Sequence, residues 1–505
     1  MRRIAILLMA FATCAALAQT PPAQEAIPTL TLDDAIRLAL QRNKNLKVSS
    51  YLPGIARANL LVARGAFDPS LVAERLYQSS QFNDSVGPIP INDLTKIDTY
   101  SAGVQGLLPV GTLYQITAST IETRDVYNGI TQNYQTFGGF SVTQPLLKGF
   151  GLAANLEQVR IQKANRSISD LTYQLSAINT VTNVIVDYSN LQLAHDQLES
   201  AQAENALANR QVRENEEKYK AGSTSQSDVL EMRAYASEFV EQILIAERAV
   251  RDAQNALREM IGEETFFEDE PLFVLAPMPI PEVTVDRRSD VQRALLMRPD
   301  YQIARFGIVQ DRAVEAAARN RLLPQVDFQG GYGYNGSAMS FSASKQMVED
   351  RMNPSVSAGL VVTVPLTFAV GRGTLRAAKL TREQAEESLS SMAADIAVAV
   401  AAADGQVETS RKRVAADQTE VSLAKQALEA EEKKNKAGTG STISVIQQQQ
   451  ILATAESAVS YALAAERQAV AVYDQTLGTT LERYHVKLTD EWSVDARLPS
   501  ETASH

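Results

Sequence analysis

Residues 219–262 read YKAGSTSQSDVLEMRAYASEFVEQILIAERAVRDAQNALREMIG. The opening Lys220-Ala221-Gly222, followed by Ser223 and Thr224, ends one helix and starts another. Glycine supplies the positive φ of a helix end, and the hydroxyls can cap the helix that follows. From Val229 the apolar positions fall at Met232, Ala236, Phe239, Ile243, Ala246, Val250, Ala253, Leu257 and Met260. The steps alternate between three and four residues, the a/d seam of a coiled coil. The pattern stops at Gly262. It then recurs 216 residues later, with Lys436-Ala437-Gly438, Val445-Ile446 and a closing Gly478.

Further anchors repeat in the same order. Asp34-Ala35-Ile36-Arg37 parallels Asp290-Val291-Gln292-Arg293, and Pro69 parallels Pro324. Val142-Thr143-Gln144-Pro145-Leu146 parallels Val362-Thr363-Val364-Pro365-Leu366, each followed by a G-x-G at Gly149–Gly151 or Gly371–Gly373. The chain is an internal duplication. Each half predicts a helix (32–64; 288–321), strands, a Pro-Leu corner, a long helix (150–219; 372–436), a tight turn and a shorter returning helix (227–261; 443–477). The first long helix carries its seam at Val181, Val184, Tyr188, Leu191, His195 and Leu198. His195 there reads as a polar layer of a bundle. A helix of about 70 residues extends roughly 105 Å, several times a bilayer core. Such a rod must bundle with others.

The strands alternate. Val326, Phe328, Tyr332 and Tyr334 share one face, and Gln325, Asp327, Gln329, Gly331 and Gly333 the other. Val356, Ala358, Leu360, Val362 and Val364 alternate with Ser355, Ser357, Gly359 and Thr363. One apolar face suits a half-buried sheet or a lipid-facing barrel. The match of Gly331–Gly336 to G-x-G-x-x-G opens no helix and is read as strand. The paired G-x-G motifs are read as strand-to-helix bends.

Met1-Arg2-Arg3, the apolar run Ile4–Leu17 and Ala16-Leu17-Ala18 read as a signal peptide, residues 1–18. Its removal takes the formal charge from −11 to −13 by loss of Arg2 and Arg3, and takes Cys14, the single cysteine. Phe11-Ala12-Thr13 before Cys14 departs from the Leu-to-small pattern of a lipid-attachment site, so ordinary cleavage is the expectation. No later segment offers the ~18 apolar residues of a membrane helix, so a membrane span must be made of strands. An acidic balance argues against nucleic acid as a partner. Three histidines and one cysteine leave little for a metal site or thiol catalysis. The acidic residues are spread along helix faces rather than clustered. No enzyme and no cofactor are expected.

This duplicated plan resembles the TolC-like outer-membrane efflux protein family. The resemblance rests on Leu32–Leu40 near the start, Thr143-Gln144-Pro145-Leu146-Leu147 before the first long helix, and Tyr219–Thr224 with Asp228-Val229-Leu230 at the turn. It covers residues 30–480. It implies a mixed, mainly α membrane protein: a trimeric transmembrane β-barrel continuous with a long periplasmic α-helical barrel. Four strands per chain is the family default. Pro69 to Pro145 is much longer than Pro324 to Pro365, and Tyr100–Leu108, Pro109-Val110-Gly111 and Leu113–Thr120 look like an added hairpin, giving six as the alternative. The implied division is 19–262 and 288–478 as two repeats, a Pro-rich equatorial linker at 263–287 and a tail at 479–505.

The resemblance also implies function. The chain would be a passive exit duct in the outer membrane of a Gram-negative bacterium, serving efflux or type I secretion. Its partners would be two further copies of itself, a periplasmic adaptor (membrane fusion) protein, an inner-membrane pump and outer-membrane lipid. A non-pore structural coiled-coil envelope protein is the competing reading. The adaptor-docking tips would be Gly222, Ser223, Thr224, Val229 and Leu230, with Gly438, Ser441, Val445 and Ile446. Those residues must in any case make tight turns. Asp228 and Glu231 are i, i+3 neighbours, so three copies would ring the periplasmic entrance with carboxylates and favour cations. Asp228 also reads as a plain N-terminal helix charge. Where relatives carry gating tyrosine, arginine and aspartates, this chain has Asn435, Gly440, Ser444 and Gln447.

Overall fold

The computed structural model describes residues 29–488, apart from 87–88, 126–131, 263–273 and 438. The expected signal peptide with Cys14, and the end of the tail, lie outside the described residues. The order begins β1 (Thr29–Leu30), α1 (Leu32–Arg42), α2 (Lys44–Gly65), β2 (Ser70–Val86), β3 (Ile89–Leu107), β4 (Leu113–Asp125) and β5 (Asn133–Pro145). Then come α3 (Leu152–Asn155), α4 (Glu157–Lys220), α5 (Gln226–Ile261) and β6 (Val274–Leu275). The second half follows with α6 (Arg287–Met297), α7 (Pro299–Arg321), β7 (Gln325–Ala338), α8 (Phe341–Glu349), β8 (Pro354–Thr363), α9 (Ala369–Lys436), α10 (Thr442–Leu477) and α11 (Thr480–Arg483).

Each leading helix, expected to be continuous, is broken near its first third. The Asn43 side chain accepts from Leu46 N–H at 2.9 Å and donates to Met260 O at 2.9 Å, so it caps α2 and ties the break to the end of α5. In the second half Pro299 occupies the first turn of α7, and Arg298 before it is extended. Proline disfavours the helical conformation in its predecessor and is pre-set for a helix start.

The large sheet is antiparallel in the order β2-β3-β4-β5-β7-β8. It has six strands, so the default of four is corrected and the hairpin alternative holds. The added pair is β3–β4, turned at Leu108–Thr112, where Gly111 has φ 97. Register gives the sheet two chemically distinct faces. Leu71, Val104, Ile116, Phe140, Tyr332 and Val356 line up strand by strand, and all are exposed. Beneath them on the other face run Gln105, Gln115, Ser141, Gly331 and Ser357, and beside these Gly103, Thr117, Gly139, Gly333 and Ser355. An exposed apolar row crossing six strands has no core to enter within this chain; a hydrocarbon solvent satisfies it. The edges β2 and β8 have no strand partner among the described residues.

Helices hang from the sheet in two tiers. Next to it the packing order is α2–α4–α7–α9; farther away it is α5–α4–α10–α9. Among the described residues only α4 and α9 run through both tiers, which is why they are the two long rods. Two cores sit where the tiers meet. One gathers Ile178, Val181, Val184, Ile185, Tyr188 and Leu191 of α4 with Leu257, Met278 and Leu481. The other gathers Val400, Val407, Val470, Tyr473 and Leu477 with Val283. Met278 and Val283 come from the segment read as a linker, and Leu481 from the segment read as a tail. Both segments are therefore partly core, and the short β1–β6 parallel pair joins the linker to the start of the fold.

The α4 seam is buried at Val181, Val184, Tyr188 and Leu191 as expected, but His195 is exposed. Ala194, Ala201 and Ala208 take over the buried line. A straight helix drifts ~20° per heptad against a 3.5-residue repeat, so a strict seam rotates off its partner. Tyr188 is fully buried, with its hydroxyl 3.0 Å from Leu30 O and 2.6 Å from Ala276 O. It fastens β1 and the linker to the rod. Tyr188→Phe leaves those carbonyls without this donor and is expected to cost ~1–3 kcal/mol, read as a lower unfolding midpoint.

Candidate functional site: lipid face, corners and tips

Chemistry follows the chain from the sheet downwards. The first strand-to-helix corner uses Gly149 and Gly151, both at positive φ (86 and 92). Asn155 clamps it by donating to both glycine carbonyls, at 2.8 and 2.9 Å. The second corner is built differently from the expectation: Gly371 and Gly373 lie inside α9, and the bend falls at Phe368, φ 50. Leu146 and Leu366, just ahead of the two corners, leave apolar side chains exposed, Leu366 being 98% exposed. Just beneath, Arg382 of α9 bridges Glu315 of α7 at 2.7 Å and Glu386 at 2.6 Å, while Arg319 reaches Glu315 at 2.6 Å. Arg319 and Arg382 hold the Glu315 carboxyl below its usual range. This brace locks two rods at the foot of the sheet; charges spread along helix faces gave no warning of it.

At the far end, Gly222 (φ 74) closes α4, with Gly222 N–H donating to Tyr219 O and Ser223 N–H to Lys218 O. Ser225 then caps α5 through a capping box: its hydroxyl accepts from Asp228 N–H, and the Asp228 carboxylate accepts from Ser225 N–H at 3.0 Å. Thr224 donates to the same carboxylate at 2.6 Å. These hydrogen bonds, Thr224 foremost, hold the Asp228 carboxyl below the usual range. Asp228 is thus half-buried and committed to the turn, whereas Glu231 one turn on is exposed. The box was legible as Ser225-Gln226-Ser227-Asp228.

At the second tip Ser441 caps α10 by accepting from Ile443 N–H at 3.2 Å. Gly438 lies outside the described residues. Val229 and Val445 turn into the helix pairs and are buried. Leu230 and, beyond the expected set, Ile443 present apolar surface outward, and Ile446 is half-buried. Among the described residues no group of three His, Cys, Asp or Glu side chains is placed to hold a metal, and no helix is long and apolar enough to cross a membrane.

An apolar-faced sheet carried on long rods, on a plan repeated in both halves of the chain, defines the class: an outer-membrane protein with a large periplasmic part. The chain belongs to the outer membrane efflux protein family, whose model matches residues 35–263 and 291–479, one match per half. It is 23% identical over 286 residues to the outer membrane protein TolC of Vibrio cholerae serotype O1. That match spans 55% of this chain and 63% of the relative, less than two thirds of its length. The fold is similar to that of the Vibrio cholerae outer membrane protein VceC, at TM-score 0.64, 16% identity and 88% and 96% coverage of the two chains. It is similar also to the Campylobacter jejuni CmeC outer membrane channel, at TM-score 0.62, 15% identity and 98% coverage of each.

Proposed function

We propose that this chain is the outer-membrane exit duct of a tripartite efflux or type I secretion system. Three copies close one barrel and one helical tube, and substrates pass through without chemistry, driven by an inner-membrane pump and delivered through a periplasmic adaptor. The observation that carries this reading is the sheet with an apolar face and two unpaired edges. Such edges invite pairing, and closure between subunits removes them. A non-pore coiled-coil envelope protein has no use for that face. Detergent extraction of outer membranes should yield a heat-dissociable trimer that conducts ions in planar bilayers. A monomer found wholly soluble in the periplasm would refute the duct.

The two repeats, at 19–262 and 288–478, each end in one adaptor-facing tip. Gly222, Ser223, Thr224 and Leu230 form the first docking surface, and Gly438, Ser441 and Ile446 the second. Val229 and Val445 set the helix pairs that carry them. Asp228 and Glu231 contribute negative charge to the entrance. The test must spare the cap, so we pair Asp228→Asn, which keeps an acceptor for Ser225, with Glu231→Gln. Cation-over-anion permeability in bilayers should fall while trimer yield stays unchanged; unaltered selectivity would remove the carboxylates from the entrance.

A further inference from the structure

We propose that α8 is an interfacial anchor: it lies on the outer wall of the barrel at the border of the outer leaflet, and the turn after it dips into lipid. This rests on the duct proposed above, in which the apolar row of the sheet faces outward. Side chains alternate along a strand, so Thr136 and Gly138 stand on the same face as Phe140, and Gly336 on the same face as Tyr332. These are the positions on which α8 packs. The Phe341 and Tyr134 ring centroids are 6.4 Å apart, the Ser344 hydroxyl is 2.8 Å from that of Thr136, and Val348 stands over Gly138. Tyr134, Thr136 and Gly138 are successive outward positions of β5, taken from the end farthest from the rods. Seven residues of helix advance about 10.5 Å and four of strand about 13.5 Å, so α8 runs down the wall beside β5. Its lower end stops ~7 Å, two strand residues, above the row of Phe140 and Tyr332.

The chemistry is graded along the same path. The wall beneath α8 is polar: the Thr120 and Thr136 hydroxyls are 3.1 Å apart and buried with Ser344. Hydrocarbon offers such groups no partner, and α8 covers them. Its own outer face, at Ser342, Lys345, Gln346 and Glu349, is exposed and polar, with Lys345 paired to Glu349 at 3.0 Å. That face suits water and headgroups. The turn below it differs. Arg351 and Asn353 both take φ 55, a conformation that persists only where neighbouring bonds impose it. Here Met352 N–H donates to Met347 O at 2.8 Å, and Asn353 donates from Nδ2 to Asn335 O at 3.2 Å. The turn so held leaves Met352 52% exposed and puts the Arg351 charge near Tyr332, whose hydroxyl is 2.7 Å from that of Tyr334. An apolar tip flanked by arginine and tyrosine hydroxyls is the composition of a bilayer interface. A neighbouring subunit pairs at the β2 or β8 edge, whereas α8 lies over β5 and β7. Lipid, already against the row just below, is the surface continuous with the turn. Three such anchors fix the height of the barrel in the membrane.

The test uses the full chain with Trp492→Phe, which removes its single tryptophan. Met352→Trp, Ser342→Trp or Ile116→Trp is then added, each at an exposed position. The assembled protein is placed in phosphatidylcholine vesicles. Phosphatidylcholine brominated near the headgroup end of its chains quenches emission from the lipid, and iodide quenches it from the water. The Met352→Trp variant should show about a twofold fall with bromine and little change with iodide. The Ser342→Trp variant, high on the polar face, should show the reverse. Iodide quenching of Met352→Trp without bromine quenching puts the turn in water and overturns the anchor. Quenching by neither means that a neighbouring subunit covers the turn, and overturns it equally. Bromine quenching of Ser342→Trp overturns the descent of α8 along the wall. The Ile116→Trp variant reports the apolar row itself: if bromine leaves its emission untouched, the lipid-facing row falls, and the duct reading with it.

Discussion

Gly262→Val is expected to abolish the assembled protein or lower its unfolding midpoint sharply, through a loss above ~3 kcal/mol. Gly262 ends α5 in the left-handed region, φ 70 and ψ 31. A β-branched residue is an outlier there. Space is the larger objection: a Cβ would stand 2.5 Å from Arg42 O and 2.7 Å from Arg42 C, at the end of α1. Those are backbone atoms, which cannot swing away as a side-chain tip can. The same chain end is held by Asn43, whose side chain donates to Met260 O. Gly478 is the duplicate position, with φ 75, and its Cβ would lie 3.0 Å from Met297 C and O. Gly478→Ala should therefore cost less, ~1–2 kcal/mol. Gly405→Ala inside α9 meets nothing within 4 Å and should be neutral or stabilise by about 0.5–1 kcal/mol. Trimer yield and unfolding midpoints of the three variants, compared side by side, check the order. If Gly262→Val matched Gly405→Ala, the close approach of α5 to α1 would be wrong.

The same glycines show what the sequence could and could not tell. Their place at the ends of two helices was readable, because periodicity stops there. Their neighbours were not, because Arg42 and Gly262 are distant in the chain and no local pattern links them. Helix existence was legible at Val229–Met260, where a seam is sustained over many turns. The breaks at Asn43 and Arg298 were passed over, although Pro299 signalled one of them. The six-strand sheet was legible only as an alternative. Tyr100–Leu108 and Leu113–Thr120 alternate plainly, but counting strands requires knowing their neighbours. At the tips, capping chemistry follows from residue type, so a hydroxyl cap was readable, but the reading rested on Ser223 and Thr224 and the cap of α5 is Ser225. Which apolar residue faces outward follows from helix rotation, so Val229 and Val445 were placed with the docking surface though they pack inward. The brace of Arg382 on Glu315 and Glu386 had no local signal beyond its i, i+4 half.

Arg483→Ala should be the most damaging single change of a charged side chain, costing ~3–5 kcal/mol at neutral pH. Asp474 lies in the last turn of α10 with 0% exposure. A carboxylate there is opposed by the helix dipole as well as by burial. Its ion-pair partner is Arg483 of α11, whose Nε meets Oδ2. The Thr479 hydroxyl is 3.4 Å from Oδ1, and the nearby Arg293 is itself engaged by Glu482 at 2.7 Å. Burial pushes the Asp474 carboxyl up, and Arg483 pulls it back only in part. The sign of the pH dependence follows. A carboxyl raised on folding binds its proton more tightly in the native state, so stability falls as pH rises from the unfolded value, ~3.9, through the folded one. Removing Arg483 raises the carboxyl further and extends that window upward. The variant's deficit should therefore be largest at pH 8 and shrink on acidification to pH 5. Adding Asp474→Asn to Arg483→Ala removes the stranded charge and should recover most of the loss. Unfolding midpoints of the wild-type chain and both variants at the two pH values measure this. An equal deficit at both, with no rescue by asparagine, would mean that Arg483 contributes packing of its stem and not charge, since only a charge responds to the proton.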